Sequence, residues 1–194
     1  MCIRDSRYTF NFIPRHELWI DKEGAEGEEK YFIDHMLVEY RLMFQAIEKA
    51  EKVEQRERSK SKLMREIHPF KHKKAEVLKR VRQKLLKTYS KKIKVWIVSG
   101  ELVRGLFFID FTEGGHDLVY PFIPKNEIWI EDDVSQKERR FILLHELKER
   151  NLMMGGKSYD DAHISSSRIE VFCRNHPKKL DEKLKRELKK QIVR

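Results

Sequence analysis

Residues 8–43 of this chain align without a gap onto residues 118–153, and twelve of the thirty-six pairs are identical. Phe12-Ile13-Pro14 returns as Phe122-Ile123-Pro124, and Glu17, Trp19 and Ile20 return as Glu127, Trp129 and Ile130. Further on, His35 meets His145 and Glu39 meets Glu149, all at a shift of 110 positions. A weaker match follows, His68-Pro69 against His176-Pro177 and Glu76–Arg80 against Glu182–Arg186. A pattern written twice must be folded twice. The unit is about one hundred residues long, too long for a solenoid repeat, so two tandem copies are expected. The first, at 7–90, reads as a degenerate copy truncated at its N-terminus and ending in a basic helical segment. The second, at 95–194, reads as the complete copy.

In the second copy, Val95–Val98 and Leu106–Phe111 are β-rich runs around a turn at Gly100 and predict a hairpin, and Phe122–Ile130 predicts a further strand. From Phe141 onward apolar residues recur at helical spacing until Gly155-Gly156 provide a stop. Ser158 with Asp161 marks the cap of a second helix. Pro177 suits the first turn of a third, with Leu180, Leu184, Leu188 and Ile192 as its apolar stripe. Strands followed by helices predict an α+β class, with a small antiparallel sheet against two to three helices in each copy.

The helix opening at Phe141 is apolar on both sides, which predicts burial. His145 and Glu149 lie one turn apart on it, and a buried imidazole or carboxylate needs a partner or a metal. On the following helix His163, Ser167, Glu170 and Arg174 share a face. The short loop at 154–157 makes the two helices neighbours, so His163 can face the pair. Two His and one Glu suit zinc with one position open. His145-Glu146-Leu147-Lys148-Glu149 resembles the active-site helix of zincin metallopeptidases, with Glu149 in place of the second His of H-E-x-x-H. The resemblance implies zinc held by His145, Glu149 and His163. It also implies Glu146 as the base acting on water, and Glu170 as a fourth ligand or the residue orienting His163. The function this implies is a zinc-dependent hydrolase acting on a peptide or other small hydrolysable substrate; iron and manganese remain alternatives. The other reading is a non-catalytic binding or structural module in which the His–Glu pair is a buried hydrogen bond. The first copy keeps His35 and Glu39 but has Met36 in place of Glu146 and offers Glu54 or Gln55 instead of a second His. Glu113 and His116 flank Gly114-Gly115, either as a hairpin turn or as a loop approaching the site.

Charge is unevenly spread. Arg56 to Lys94 holds sixteen Lys or Arg against Glu57, Glu66 and Glu76, while the whole chain is +10. Val77, Leu78, Val81, Leu85 and Tyr89 fall near one helical face there, with lysines outward. Such a face could touch nucleic-acid phosphates without reading sequence, or simply be solvated. Two cysteines, Cys2 and Cys173, exclude a disulfide scaffold and a thiolate metal site, and Cys173 reads as a packed thiol. No run reaches the ~20 apolar residues of a membrane span. Without a signal-peptide pattern, a reducing cytoplasmic location is expected. Met1–Ser6 resembles a translated sequencing-adapter scar and is set aside from the fold expectation.

Overall fold

The computed structural model describes residues 4–6, 13–14, 17–20, 27–42, 47–191 and 193. The chain divides into two compact units, Met1–Val81 with Ser99–Thr112, and Arg82–Val98 with Glu113–Arg194. Both mix helices with short strands, and the α+β expectation holds. Among the described residues no helix is long and apolar enough to cross a membrane.

The first unit contains β1 (Arg4–Ser6), β2 (Leu18–Ile20), α1 (Glu29–Leu42), α2 (Ile47–Arg58), α3 (Lys62–Ile67), α4 (Lys74–Val81) and α5 (Gly100–Leu106). β1 pairs antiparallel with β2, Asp5 opposite Trp19. Residues 4–6, set aside on sequence, are therefore part of a strand pair; the ladder uses main-chain N–H and C=O groups, which do not depend on the side chains. In the first copy's counterpart of the strand expected at Phe122–Ile130, Phe12, Arg15 and His16 lie outside the described residues, as do the Glu39 side chain and Cys2.

The hairpin expected at 95–111 does not form. Val95–Val98 is a strand, but Ser99 caps α5 by accepting a hydrogen bond from the Leu102 N–H. Gly105 sits where a Cβ would come within 2.5 Å of Met64 Sδ, so this glycine serves close approach of α5 to α3, not a turn. The long helix expected across the basic segment ends at Val81, and Arg82–Leu85 turns into a strand. Val77 and Val81 are buried in the first unit, whereas Leu86 and Tyr89 belong to the second and pack on its own core.

The second unit holds β3 (Arg82–Leu85), β4 (Lys94–Val98), β5 (Gly114–His116) and β6 (Glu127–Glu131), followed by α6 (Arg139–Met154), α7 (Tyr159–Asn175) and α8 (Leu180–Lys190). The sheet order is β3-β4-β6-β5. Its two outer pairings are antiparallel, but β4 and β6 run parallel, so the sheet is mixed where an antiparallel one was expected. The chain between Val98 and Glu127 is long enough for the crossover that a parallel pair requires. The strand expected at 122–130 is confined to β6: Pro121 and Pro124 cannot donate to a ladder, and Asn126 takes a left-handed φ of 61° just before the strand. β5 meets β6 with Gly115 opposite Trp129, the register of Asp5 and Trp19 at the 110-residue shift. Ile93, Val95, Ile97, Ile128 and Ile130 from the sheet region meet Phe141, Leu143, Leu144 and Leu147 of α6, with Cys173, Leu180 and Leu184 closing the core. Burial raises the Cys173 thiol pKa, in keeping with a packed thiol.

A buried ionic network ties the first unit together. His35 on α1 meets Glu54 on α2, Nδ1 to Oε2 at 2.6 Å. Glu54 binds Arg58 at 2.8 Å, Arg58 reaches Glu28, and Glu28 also takes Arg104 of α5 at 2.6 Å. Burial opposes the charge of Glu28, but the two guanidiniums outweigh it and hold its carboxyl below the ordinary range. Arg58 and Arg104 are almost fully buried, so removing their shared carboxylate leaves two desolvated cations underpaired. Glu28→Ala is expected to cost on the order of 3 kcal/mol in urea unfolding; a loss below about 1 kcal/mol, the range of an exposed pair, would contradict this account.

Candidate metal centre

Three elements of the second unit build the site. α6 is buried from Phe141 through Leu147 and again from Glu149 to Asn151, so every polar residue in that stretch needs a partner. Arg150 binds Asp117 at 2.6 Å and Asn126 Oδ1 at 3.0 Å, and Asn151 donates to the Glu187 carbonyl at 3.0 Å. These bonds anchor the β5–β6 connection and α8 to α6. α7 is capped by the Ser158 hydroxyl, which accepts from the Asp161 N–H, and Gly155 ends α6, both as the sequence predicts.

His145 and Glu149 of α6 and His163 of α7 converge. His145 Nε2 lies 3.2 Å from His163 Nδ1 and 3.4 Å from Glu149 Oε2, and His163 Nδ1 lies 2.7 Å from the same oxygen. These three residues could hold a metal ion. Zinc bonds of about 2.0–2.1 Å in tetrahedral geometry separate neighbouring ligand atoms by roughly 3.3 Å, which the three distances bracket. Tyr159 stacks on the His163 ring, centroids 5.4 Å apart.

Glu170 takes neither position in the form expected. Its Oε2 binds His145 Nδ1 at 2.8 Å, the nitrogen turned away from the cluster, and its Oε1 takes Arg174 at 2.9 Å. It orients His145 instead of His163, and both of its oxygens are engaged outside the triangle. Arg174 continues to Glu138 and lies over the Phe141 ring at 4.9 Å. The first unit holds the same chain: Glu28, His35, Glu54 and Arg58, with Arg58 over the Tyr31 ring at 4.8 Å. Glu28, Tyr31 and His35 match Glu138, Phe141 and His145 at a shift of 110; Glu54 and Arg58 match Glu170 and Arg174 at 116, the first unit having six residues fewer between His35 and Glu54 than the second has between His145 and Glu170. Position 36 is then Met where the second unit has Glu146, and position 47 is Ile where it has His163.

His116, left open between turn and site, belongs to the site. It is fully buried in β5, and its Nε2 lies 3.0 Å from Glu149 Oε1. Gly114 lets β5 come this near: a Cβ there would fall 2.9 Å from Ile142 and 3.4 Å from Glu146. His116, Glu146 and Glu149 form a second group with metal-compatible spacing, sharing Glu149 with the first.

Electrostatics separates the three acids and the histidine. Burial opposes the charge of His145, yet hydrogen bonds to Glu149 and Glu170 push its pKa up to about 10. Burial also opposes the charge of Glu149, but hydrogen bonds from His116, His145 and His163 hold it far below the ordinary carboxylate range. Glu170 is likewise lowered by His145 and Arg174 against its own burial. Glu146 goes the other way, pushed up to about 7 because burial outweighs the nearby His145 charge. Compared with family models, curated proteins and solved structures, the chain has no match.

The raised Glu146 pKa has a sign that can be measured. Between pH 4.5 and 7 the carboxyl ionises in the unfolded chain but stays protonated in the fold, so the folded state loses stability over that interval. Glu146→Gln should therefore stabilise the metal-free protein by a few kcal/mol at pH 8 and by much less at pH 4. Thermal unfolding in chelator at both pH values checks this; equal shifts would show that Glu146 ionises as easily in the fold as outside it.

Proposed function

We propose that the second unit is a zinc-dependent hydrolase centre of the peptidase kind, with His145, Glu149 and His163 as ligands and Glu146 as general base. The observation carrying this reading is the convergence of three donor atoms at tetrahedral edge lengths beside a buried carboxyl group with a raised pKa. Zinc, where held, supplies Lewis-acid activation of water at neutral pH. Glu146 neighbours His145 in sequence and has its carboxyl turned among His116 and Glu149. A carboxylate of pKa near 7 is suited to take a proton from water and return it to a leaving group. Glu170 fixes the His145 ring with Nε2 toward the ligand cluster and increases its basicity as a ligand. His163, 42% exposed, marks the side from which a peptide or other small amide or ester substrate would approach.

A structural module is the second reading, and one observation favours it: hydrogen bonds join His145 to Glu170 and His163 to Glu149 across the two helices, and an ion pair joins His35 to Glu54 in the first unit. The two readings diverge in the laboratory. On the hydrolase reading, protein purified without chelator carries about one zinc per chain, and His163→Ala loses most of it. Glu146→Gln keeps fold and zinc while hydrolysis of a peptide library falls 10²–10⁴-fold, the usual contribution of a general base. Full activity in Glu146→Gln removes that residue from the mechanism. Absence of zinc, with both substitutions only shifting stability, gives the site to the structural module.

A further inference from the structure

We infer that His116 is a positioning residue that donates Nε2–H to Glu149, so the second group of potential ligands does not take a metal and the site is mononuclear. This inference rests on the metal reading above and specifies how its carboxylate ligand is held.

The argument is one of tautomers. The backbone N–H of Leu118 donates to His116 Nδ1 at 3.2 Å, so the lone pair of that nitrogen faces the donor and Nδ1 carries no proton. The ring proton must then be on Nε2, the atom 3.0 Å from Glu149 Oε1, which as a carboxylate oxygen can only accept. To ligate through Nε2 the ring would have to move its proton to Nδ1, against the Leu118 N–H. The ring is completely buried in β5, with its backbone paired to Ile128, so it has no room to swing away.

His145 and His163 are under no such constraint. His145 carries a proton on Nδ1 for Glu170, which leaves Nε2 as the ligand nitrogen once the second proton departs. His163 presents Nδ1 to Glu149 and has a partly exposed ring that can hold its proton on Nε2. The two oxygens of Glu149 are thereby divided. Oε1 is occupied by His116, and Oε2 is turned toward His145 and His163. Partners of this kind behind a metal ligand typically contribute 10–100-fold to metal affinity.

The test uses the full chain with ¹⁵N-labelled histidine. Long-range ¹H–¹⁵N spectra are recorded metal-free and after titration with zinc, and zinc content and affinity are measured for the parent, His116→Gln and His116→Leu. The expected result is an Nε2–H tautomer for His116 in both states and one zinc per chain. His116→Gln, whose amide can donate in place of Nε2–H, should bind zinc within a few-fold of the parent, and His116→Leu about 10–100-fold more weakly. Two zinc ions per chain, an Nδ1–H tautomer on loading, or unchanged affinity in His116→Leu would overturn the inference, while zinc bound through His145, Glu149 and His163 would stand. If His116→Leu does not fold, the parent spectra and His116→Gln decide. A parent that takes up no zinc at all rejects the metal reading itself, a different result from zinc bound without help from His116.

Discussion

Enclosure of α6 is the constraint from which the rest of the second unit follows. The helix is apolar toward the sheet and toward its neighbouring helices, yet His145, Glu146, Glu149, Arg150 and Asn151 are all buried on it. An unpaired buried polar group costs about 1–3 kcal/mol, more when charged. Five such groups in seven residues would unfold a small domain unless each met a partner. Asp117 and Asn126 answer Arg150, Glu187 answers Asn151, and His116, His163 and Glu170 answer the His145–Glu149 pair. The placing of β5, of the segment before β6, of α7 and of α8 is thus written in partners for one helix. Glu146 is enclosed among the same groups, and its burial raises its pKa to about 7.

The two units share what holds the helices and differ in the residues beside it. The chain of acid, histidine, acid and arginine, with an aromatic ring under the guanidinium, occurs in both. In the first unit it is sealed: Arg58 is 1% exposed and Glu28 is shared with Arg104. In the second it is open, with Arg174 37% exposed. A network kept in both burial regimes is a device for joining two helices. Glu146 and His163 have no counterpart among residues 36 and 47, which are Met and Ile. Both lie on the side of the His145–Glu149 pair away from the arginine, so they are not needed for the joint. That residue-level difference is why the second unit is read as a site.

Much of the site was legible because its signals are local. Helical phase joined His145 to Glu149, and Ser158 with Gly155-Gly156 set the helix ends that bring His163 opposite. What escaped depended on partners distant in the chain. Arg82–Leu85 reads Arg-Gln-Lys-Leu, with no strand-like alternation, and becomes a strand because β4 offers it a backbone edge. Leu106–Phe111 is rich in β-formers, but the Ser99 cap and the Gly105–Met64 approach place a helix ahead of it. Helical phase gives Glu170 a face but not which of two histidines across the seam it meets, and it meets His145. His116 was nearly missed, since three residues of Gly-Gly-His look like a turn. The usable signal was the first glycine, whose missing Cβ is what allows β5 to reach α6.

The charge pattern bears on what this cluster could hold. Two imidazole nitrogens 3.2 Å apart both face one carboxylate oxygen, so lone pairs alone would repel across the gap. Protons on these rings relieve that repulsion, and hydrogen bonds to Glu149 and Glu170 raise the His145 pKa to about 10 against its burial. Glu149 and Glu170 are ionised, and the positive charge of Arg174 is shared between Glu170 and Glu138. The neighbourhood is therefore short of positive charge even when His145 is protonated. On the proposed reading, exchanging protons for a divalent ion adds the missing charge without moving a ligand, and it lowers the cost of ionising Glu146 beside it. The same surplus of carboxylates disfavours an anionic ligand at this centre. In the first unit Glu28, which matches Glu138, is shared by two buried arginines, Arg58 and Arg104.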